Sequence, residues 1–225
     1  KLLILLALTI PFSMNAQMSD YSEGTSATGS NAVAMGKSTT ASGSRSTAMG
    51  GDSTASGDFS VAMGRGTTAS GTNSTAMGSG TIASGNNSSA MGYYTTASGH
   101  KTTAMGANTT ASDYASLVIG QFNSSGSSVT NNATSFNTAN TAFVIGNGTD
   151  SSNKSDAFKV MFNGDTTVSN DLTVSGDVVI SSDARLKSNI VSLGSTLPKL
   201  LQIDGKSYEM KGKQKIGVLA QEIQE

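Results

Sequence analysis

The sequence predicts an all-β protein, a solenoid of 14-residue coils, on three observations. Ala-Met-Gly recurs at fixed spacing, ending at Gly36, Gly50, Gly64, Gly78, Gly92 and Gly106, with Ala-Ser-Gly between, ending at Gly43, Gly57, Gly71, Gly85 and Gly99. A Gly thus stands at every seventh position from Gly29 to Gly106; Asp113 interrupts the count and Gly120 resumes it. Within each unit the residues alternate with period 2, as strands require. Composition is the third observation: 64 of 225 residues are Ser or Thr, 36% are hydrophobic and 5% aromatic. That is too little apolar bulk for a conventional core, so order must come from repetition.

At the N-terminus, Lys1 precedes an apolar run from Leu2 to Ile10, Pro11 breaks it, and Ala16 supplies a small residue before Gln17. This order reads as a secretory signal peptide over residues 1–16, leaving an exported mature chain. The run is too short to span a bilayer, which takes about 20 apolar residues, so no transmembrane helix is expected in the mature chain. Position 1 is Lys, and the reading frame is expected to begin upstream of it.

Residues 17–120 form the repeat region. A period of seven suggests a coiled coil, but a Gly in every heptad would cost a helix about 1 kcal/mol each. Collagen needs Gly at every third position, and the Gly-Gly-x-Gly-x-Asp calcium repeat is absent. Two short strands per coil, joined by turns that use glycine, survive these exclusions. Alternation puts Val33 with Met35, Thr47 with Met49, Val61 with Met63 and Thr75 with Met77 on one face. Ala34, Ala48, Ala62 and Ala76 point the other way, a small-residue face expected to close against identical chains. In the opposite strand Thr39 shares a face with Ala41, Thr67 with Ala69 and Thr95 with Ala97. Burying one Met per coil is worth about 1.5–3 kcal/mol, well short of the cost of ordering fourteen residues. The repeat therefore predicts an obligate oligomer.

The unit S-x-A-M-G-x-x-T-x-A-S-G-x-x resembles the head repeat of YadA-like trimeric autotransporter adhesins from about Ser26 to Gly120, with Val118-Ile119-Gly120 the nearest to the family's usual Ile or Val. The resemblance implies a left-handed parallel β-roll and a homotrimer. The same roll occurs in bacterial adhesins and in virus fibres. No helical membrane anchor of the autotransporter kind is recognisable.

Residues 121–180 read as an irregular linker followed by a β neck. An Asn/Ser/Thr-rich stretch from Gln121 to Asn140 loses the period, and Ala142 to Gly146 revives a strand. Ala157 to Phe162 followed by Asn163-Gly164-Asp165 signals a hairpin. Leu172, Val174, Val178 and Ile180 alternate as short neck strands, and Phe143, Phe158 and Phe162 mark a denser local core.

Residues 181–225 differ in character, carrying seven of the 14 basic residues while Gly becomes sparse. Ser182 and Lys187 are the pair worth arguing, since a Lys whose pKa is lowered by burial can activate a Ser hydroxyl. Read alone, a Ser and a Lys five apart are commonplace, and Ser182-Asp183 is better explained as a helix cap ahead of a basic turn. Ser182 to Ile190 is similar to the opening of the intramolecular chaperone that ends endosialidases and tail spikes. Ser207-Tyr208-Glu209 and Gly217 to Glu222 resemble its later motifs, in order. The resemblance implies an α+β domain that templates trimerisation and then cuts its own chain, with Ser182 as nucleophile, Lys187 as base, and the Ser181–Ser182 bond cleaved. That family's domain continues past its Ala-Gln-Glu motif, so residues 181–225 correspond to its N-terminal part, and self-cleavage is an expectation for the complete reading frame.

Charge and composition bound the function. A net charge of −1 with 13% charged residues argues against a nucleic-acid partner. With no Cys and the single His100, neither a thiolate nor a histidine metal cluster is expected, and no cofactor. Asn-x-Ser/Thr triplets are expected by chance in so Ser/Thr-rich a chain. The leading expectation is a secreted or cell-surface trimeric fibre that meets a host-surface or extracellular-matrix ligand, its only peptidase activity being on its own chain. A phage or virus tail fibre is the alternative, told apart by the signal peptide. An ice-binding solenoid, suggested by Thr40, Thr54, Thr68, Thr96 and Thr110, ranks lower because neighbouring Thr39 and Thr40 point opposite ways.

Overall fold

A computed structural model describes residues 16–18, 24–175, 206–210 and 213–217, which fall into two units divided between Thr173 and Val174. No helix occurs among the described residues. The first unit is a two-sheet solenoid. Long strands Val33–Lys37, Thr47–Gly51, Val61–Arg65, Thr75–Ser79, Ser89–Tyr93, Thr103–Ala107 and Leu117–Gln121 stack in parallel, each 14 residues on from the last. Two-residue strands, from Ser26–Ala27 and Thr40–Ala41 to Thr110–Ala111, stack likewise into a second, seven-stranded sheet. Register is in step throughout, Met pairing with Met, Gly with Gly and Ala with Ala.

Each coil turns twice, and both turns need a left-handed residue. Asn31, Arg45, Phe59, Asn73, Asn87, Lys101 and Ala115 form one such series, with φ between 55° and 60°. Ser38, Asp52, Gly66, Gly80, Tyr94, Asn108 and Phe122 form the other. The conformation turns the N–H toward the preceding coil: Arg45 N donates to Ser30 O at 2.7 Å and Asp52 N to Lys37 O at 2.9 Å. Strand residues donate the other way, as Val33 N does to Ser46 O at 2.9 Å. Turns as well as strands thus have their backbone groups paired between coils, as a thin fold requires.

The seven-residue glycine period has two causes. Gly36 sits at φ +111°, and a Cβ there would strike the carbonyl oxygen of Gly50 in the next coil. Gly29 has no such backbone demand, but its Cβ would strike the Gly43 carbonyl. Coils stack so closely at both places that a side chain has nowhere to go.

The expectation that the Ala ladder closes against other chains is overturned. Ala34, Ala48, Ala62, Ala76, Ala90 and Ala104 are fully buried inside the roll, facing the equally buried Ala41, Ala55, Ala69, Ala83, Ala97 and Ala111 of the short strands. The surface that approaches them is the other sheet of the same chain. The methionines lie on the outside, half-buried. A coil with so short a second strand has room between its sheets only for methyl-sized and hydroxyl side chains. Accordingly Thr39, Thr67, Thr81, Thr95 and Thr109 and the Ser46 to Ser116 series complete the interior.

Some of these hydroxyls are paired: Ser46 Oγ donates to Gly43 O at 2.7 Å, and Thr67 Oγ1 to Ser53 Oγ at 2.9 Å. Thr39, Thr81, Thr95 and Thr109 have no partner for theirs. An unmade buried hydrogen bond carries a desolvation cost, and Val has nearly the shape of Thr. We expect Thr81→Val to stabilise the roll by about 1 kcal/mol, read as a raised denaturant midpoint with unchanged slope. A lowered midpoint would mean that a bound water satisfies Thr81.

Above the last regular coil the two sheets part company. The long-strand sheet continues through Thr141–Asn147, parallel and in register with Leu117–Gln121, then turns antiparallel through Asp156–Met161 and Thr166–Val168. The hairpin read at Asn163-Gly164-Asp165 is present, with Gly164 at φ +95° and Met161 N bonded to Asp165 O at 2.8 Å. Rings pair here, Phe143 with Phe158 at 6.0 Å and Phe136 with Phe162 at 5.2 Å.

The short-strand sheet instead stops, and the irregular residues 122–140 cover its edge. Asn123 stands in for the missing strand: its Oδ1 accepts from Thr110 N at 2.8 Å and its Nδ2 donates to Thr110 O at 2.9 Å. Ser112 N bonds Gly126 O at 2.9 Å. Covering an open strand edge in this way prevents further pairing.

The neck strands read around Leu172 and Val174 do not form. Both side chains are exposed, Leu172 at 71%, and no sheet edge pairs with them. Alternation without a surface to bury against has no reason to become a strand. Val178 and Ile180 lie outside the described residues. In the second unit Lys206–Met210 pairs antiparallel with Lys213–Gly217, which puts Ser207-Tyr208-Glu209 on the first strand. Most of the segment expected to be α+β lies outside the described residues.

Candidate functional site

Two candidate sites follow from the sequence, and the structure describes one of them. Ser181, Ser182 and Lys187 lie outside the described residues, as do residues 1–15, most of the segment expected to be a signal peptide. Ala16–Met18 pairs in parallel with the long-strand sheet, Met18 opposite Met35. What can be built from the residues upward is the surface of the roll.

Register fixes a single row on the outer face of the long-strand sheet. Met35, Met49, Met63, Met77, Met91 and Met105 pair in sequence, then Ile119, Ile145, Phe158 and Val168. Ten strands at about 4.8 Å make an apolar row on the order of 40 Å long. Beside it runs a mixed row, Val33, Thr47, Val61, Thr75, Ser89, Thr103, Leu117 and Phe143. No charged side chain stands in either row. The outer row of the other sheet is Thr40, Thr54, Thr68, Ile82, Thr96 and Thr110, largely polar. A continuous apolar strip on a chain this poor in apolar residues marks an association surface.

At the far end of the row, the polar segment is held by carboxylates that sequence reading left unassigned. Asp113, fully buried at a ladder position that glycine fills elsewhere, accepts from Thr130 N at 2.6 Å and from Thr141 N at 2.8 Å. Asp156 accepts from Ser124 N and Ser125 N at 2.8 and 2.9 Å. Asp150 closes its own turn; bonds from the Asn153 amide and Ser152 N–H hold its carboxyl below the usual carboxylate range. The signal for Asp113 was in the sequence, as the one break in the glycine count immediately before the period fails. Beside Asp156 an open polar groove of about 440 Å³ carries Lys154 and Lys159.

Four overlapping or adjoining stretches, residues 27–53, 41–67, 69–95 and 97–123, match the family model for the YadA head domain repeat. The roll is built of YadA-type head repeats. They run from the first regular coil to Asn123, the residue that ends the short-strand sheet. Residues 182–225 match the family model described as chaperone of endosialidase, beginning at Ser182 itself. No curated protein matches the chain. Head repeats followed by an assembly-chaperone segment place the chain among adhesin-like and fibre-like proteins. Among the described residues no helix is long and apolar enough to cross a membrane.

Proposed function

We propose that the chain is an exported homotrimeric fibre whose head repeats present a binding surface and whose C-terminal segment drives assembly and then releases itself. The observation that carries this reading is the apolar row on the long-strand sheet. Three copies meeting along that row bury the methionines that each roll alone leaves half-exposed, supplying the apolar burial that the Ala and hydroxyl interior lacks. Coils so matched hold three left-handed rolls side by side. Residues 1–16 act as the export signal, 17–120 as the head, 121–180 as connector and 181–225 as the beginning of the chaperone domain.

In the processing step Lys187 takes the proton of the Ser182 hydroxyl as its oxygen attacks the Ser181 carbonyl carbon. The Ser181–Ser182 peptide bond breaks, its nitrogen leaves protonated, and water hydrolyses the resulting ester to free the new carboxyl end. A phage tail fibre is the second reading, favoured by the match to the endosialidase chaperone. Intact-mass spectrometry of the N-terminus separates the two, since an exported chain loses its leader and a virion protein assembled inside the cell does not.

The test uses the complete reading frame, with Lys187→Ala alongside. The wild type is expected to sediment as a trimer and to appear in denatured intact mass as a chain ending at Ser181, while the variant stays whole. A monomeric folded head rules out the fibre reading. Equal masses for wild type and variant rule out the Ser182–Lys187 assignment and leave the fibre standing.

A further inference from the structure

Two rows of hydroxyls run along the outside of the short-strand sheet. Thr39 faces the interior, and the residue that shares an outer face with Thr40 is Ser42, across the buried Ala41. The arrangement recurs at Thr54 and Ser56, Thr68 and Ser70, and Ile82 and Ser84, the last with an aliphatic side chain in the first row. Backbone bonds to the next coil hold both rows at even intervals. Thr40, Thr54, Thr68, Ile82 and Thr96 each donate their N–H at 2.8 Å, and Ser42, Ser56, Ser70 and Ser84 theirs at 2.9–3.0 Å. The hydroxyls of Thr40, Thr54, Thr68, Ser42, Ser56 and Ser70 have no protein partner among the described residues. The array ends where Ser98 Oγ bonds Ser112 Oγ at 3.0 Å, Ser112 being buried under the irregular segment. The Ala-lined interior separates this face from the methionine row, so three chains meeting along that row leave it outward.

We propose that this double row is an ice-binding face, whose ligand is an ordered plane of water. This deepens the reading of the head as a binding surface and rests on it. Coils about 4.8 Å apart, with residues two positions apart along a strand at about 6.6 Å, set the hydroxyls on a two-dimensional net. Ice repeats its surface oxygens slightly more closely than the first spacing along one axis and slightly more widely than the second across it, so the net meets the lattice over several coils. Each threonine adds a methyl that orders the water beside it, and a β-branched side chain is stiff at χ1, so little freedom is lost on binding. Other ligands fit less well. Neither row carries a charge, which an ionic mineral would need, or an aromatic ring on which a sugar plane stacks. A strip two residues wide over these coils offers on the order of 200–300 Å², against about 800 Å² from each side of a stable protein interface. An uncharged net of hydroxyls and methyls complements an uncharged lattice of water.

In the test the full chain meets a slowly grown ice front, and protein taken into the ice is measured against protein left in the liquid. The wild type is expected to enter the ice. Thr54→Lys/Thr68→Lys is expected to be excluded to the level of an inert marker protein, with its melting temperature unchanged. Where that pair lowers the melting temperature, Ser56→Lys/Ser70→Lys, just outside the short strands, carries the same test. Asn73→Lys, at the exposed turn position that Lys101 fills two coils on, is expected to enter the ice as the wild type does. The proposal is overturned by exclusion of the wild type, by lysine variants of the rows that enter as freely as the wild type, or by exclusion of Asn73→Lys, which would make any added charge sufficient. Retention on microcrystalline cellulose without entry into ice overturns the choice of ligand. Sedimentation of the same samples keeps the trimer separate: a monomer that enters ice overturns the trimer and leaves the face.

Discussion

Gly78→Ala is expected to unfold the head. Gly78 sits at φ +123°, outside the range open to residues with a Cβ, and the added methyl would strike the Gly92 carbonyl oxygen, with that residue's carbon and nitrogen at 2.9 and 3.1 Å. All three obstacles are backbone, so no rotamer change relieves the clash. Moving the Ser89–Tyr93 strand away would break its ladder to Thr75–Ser79, and each coil above is registered on the one below. Strain and lost pairing together place the cost above about 4 kcal/mol, the range reserved for backbone conflicts and broken networks. Two other glycines act as controls. Gly51 has ordinary φ and nothing within 4 Å of its Cβ position, so Gly51→Ala is expected to be neutral. Gly66 is equally open but at φ +63°, so Gly66→Ala is expected to cost about 1 kcal/mol. Circular dichroism across a urea titration reads all three. A Gly78→Ala protein as stable as Gly51→Ala would overturn the account of the glycine period.

Asp113→Asn is the second large effect expected, at about 2–4 kcal/mol of destabilisation. The carboxylate is fully buried and each oxygen accepts one backbone N–H, from Thr130 and Thr141. An amide keeps one acceptor and turns a donor toward the other N–H, leaving two donors face to face. Bonds to a charged acceptor are worth about 1.5–3 kcal/mol each, and an orphaned buried donor carries its own cost. Both N–H groups bind the irregular segment to the roll, so hydrogen exchange should quicken at Thr130 and Thr141 before it does in coils near Thr54. Uniform loss of protection along the head would mean that Asp113 acts on the whole roll and not on its end. Asp113→Gly separates shape from charge: it restores the ladder residue, leaves both donors without an acceptor, and is expected to be no more stable than Asp113→Asn.

Much of the head was legible because its period is dictated by backbone contacts. Glycines at fixed spacing record where coils touch, and alternation records which residues share a face. Alternation does not say which face is inside. Side-chain size alone favours burying Met49 over Ala48; the structure reverses this because the gap between the sheets is set by two-residue strands and by turns, not by the largest apolar residue. The cap was illegible for a different reason. Asn123 and Asp113 work by replacing backbone partners, and such substitution leaves no pattern in composition or periodicity beyond one missing Gly. Leu172 and Val174 show the converse, a good strand pattern with no neighbour to complete it. Ser182 and Lys187 rested on family resemblance from the outset, since a Ser and a Lys five apart carry no geometry of their own.

The segment that ends the short-strand sheet also bears on how such proteins change length over generations. Each coil is a self-contained reading-frame cassette whose upper and lower surfaces are interchangeable, Met on Met and Ala on Ala. Unequal recombination between two coils removes or duplicates whole cassettes and creates no new junction, because energy in a stacked array is a sum over neighbours. The terminus made by Asp113 and Asn123 sits outside the exchanged units and travels intact with the 3′ part of the gene. A lineage can therefore lengthen or shorten its head in steps of about 4.8 Å without having to re-evolve an ending.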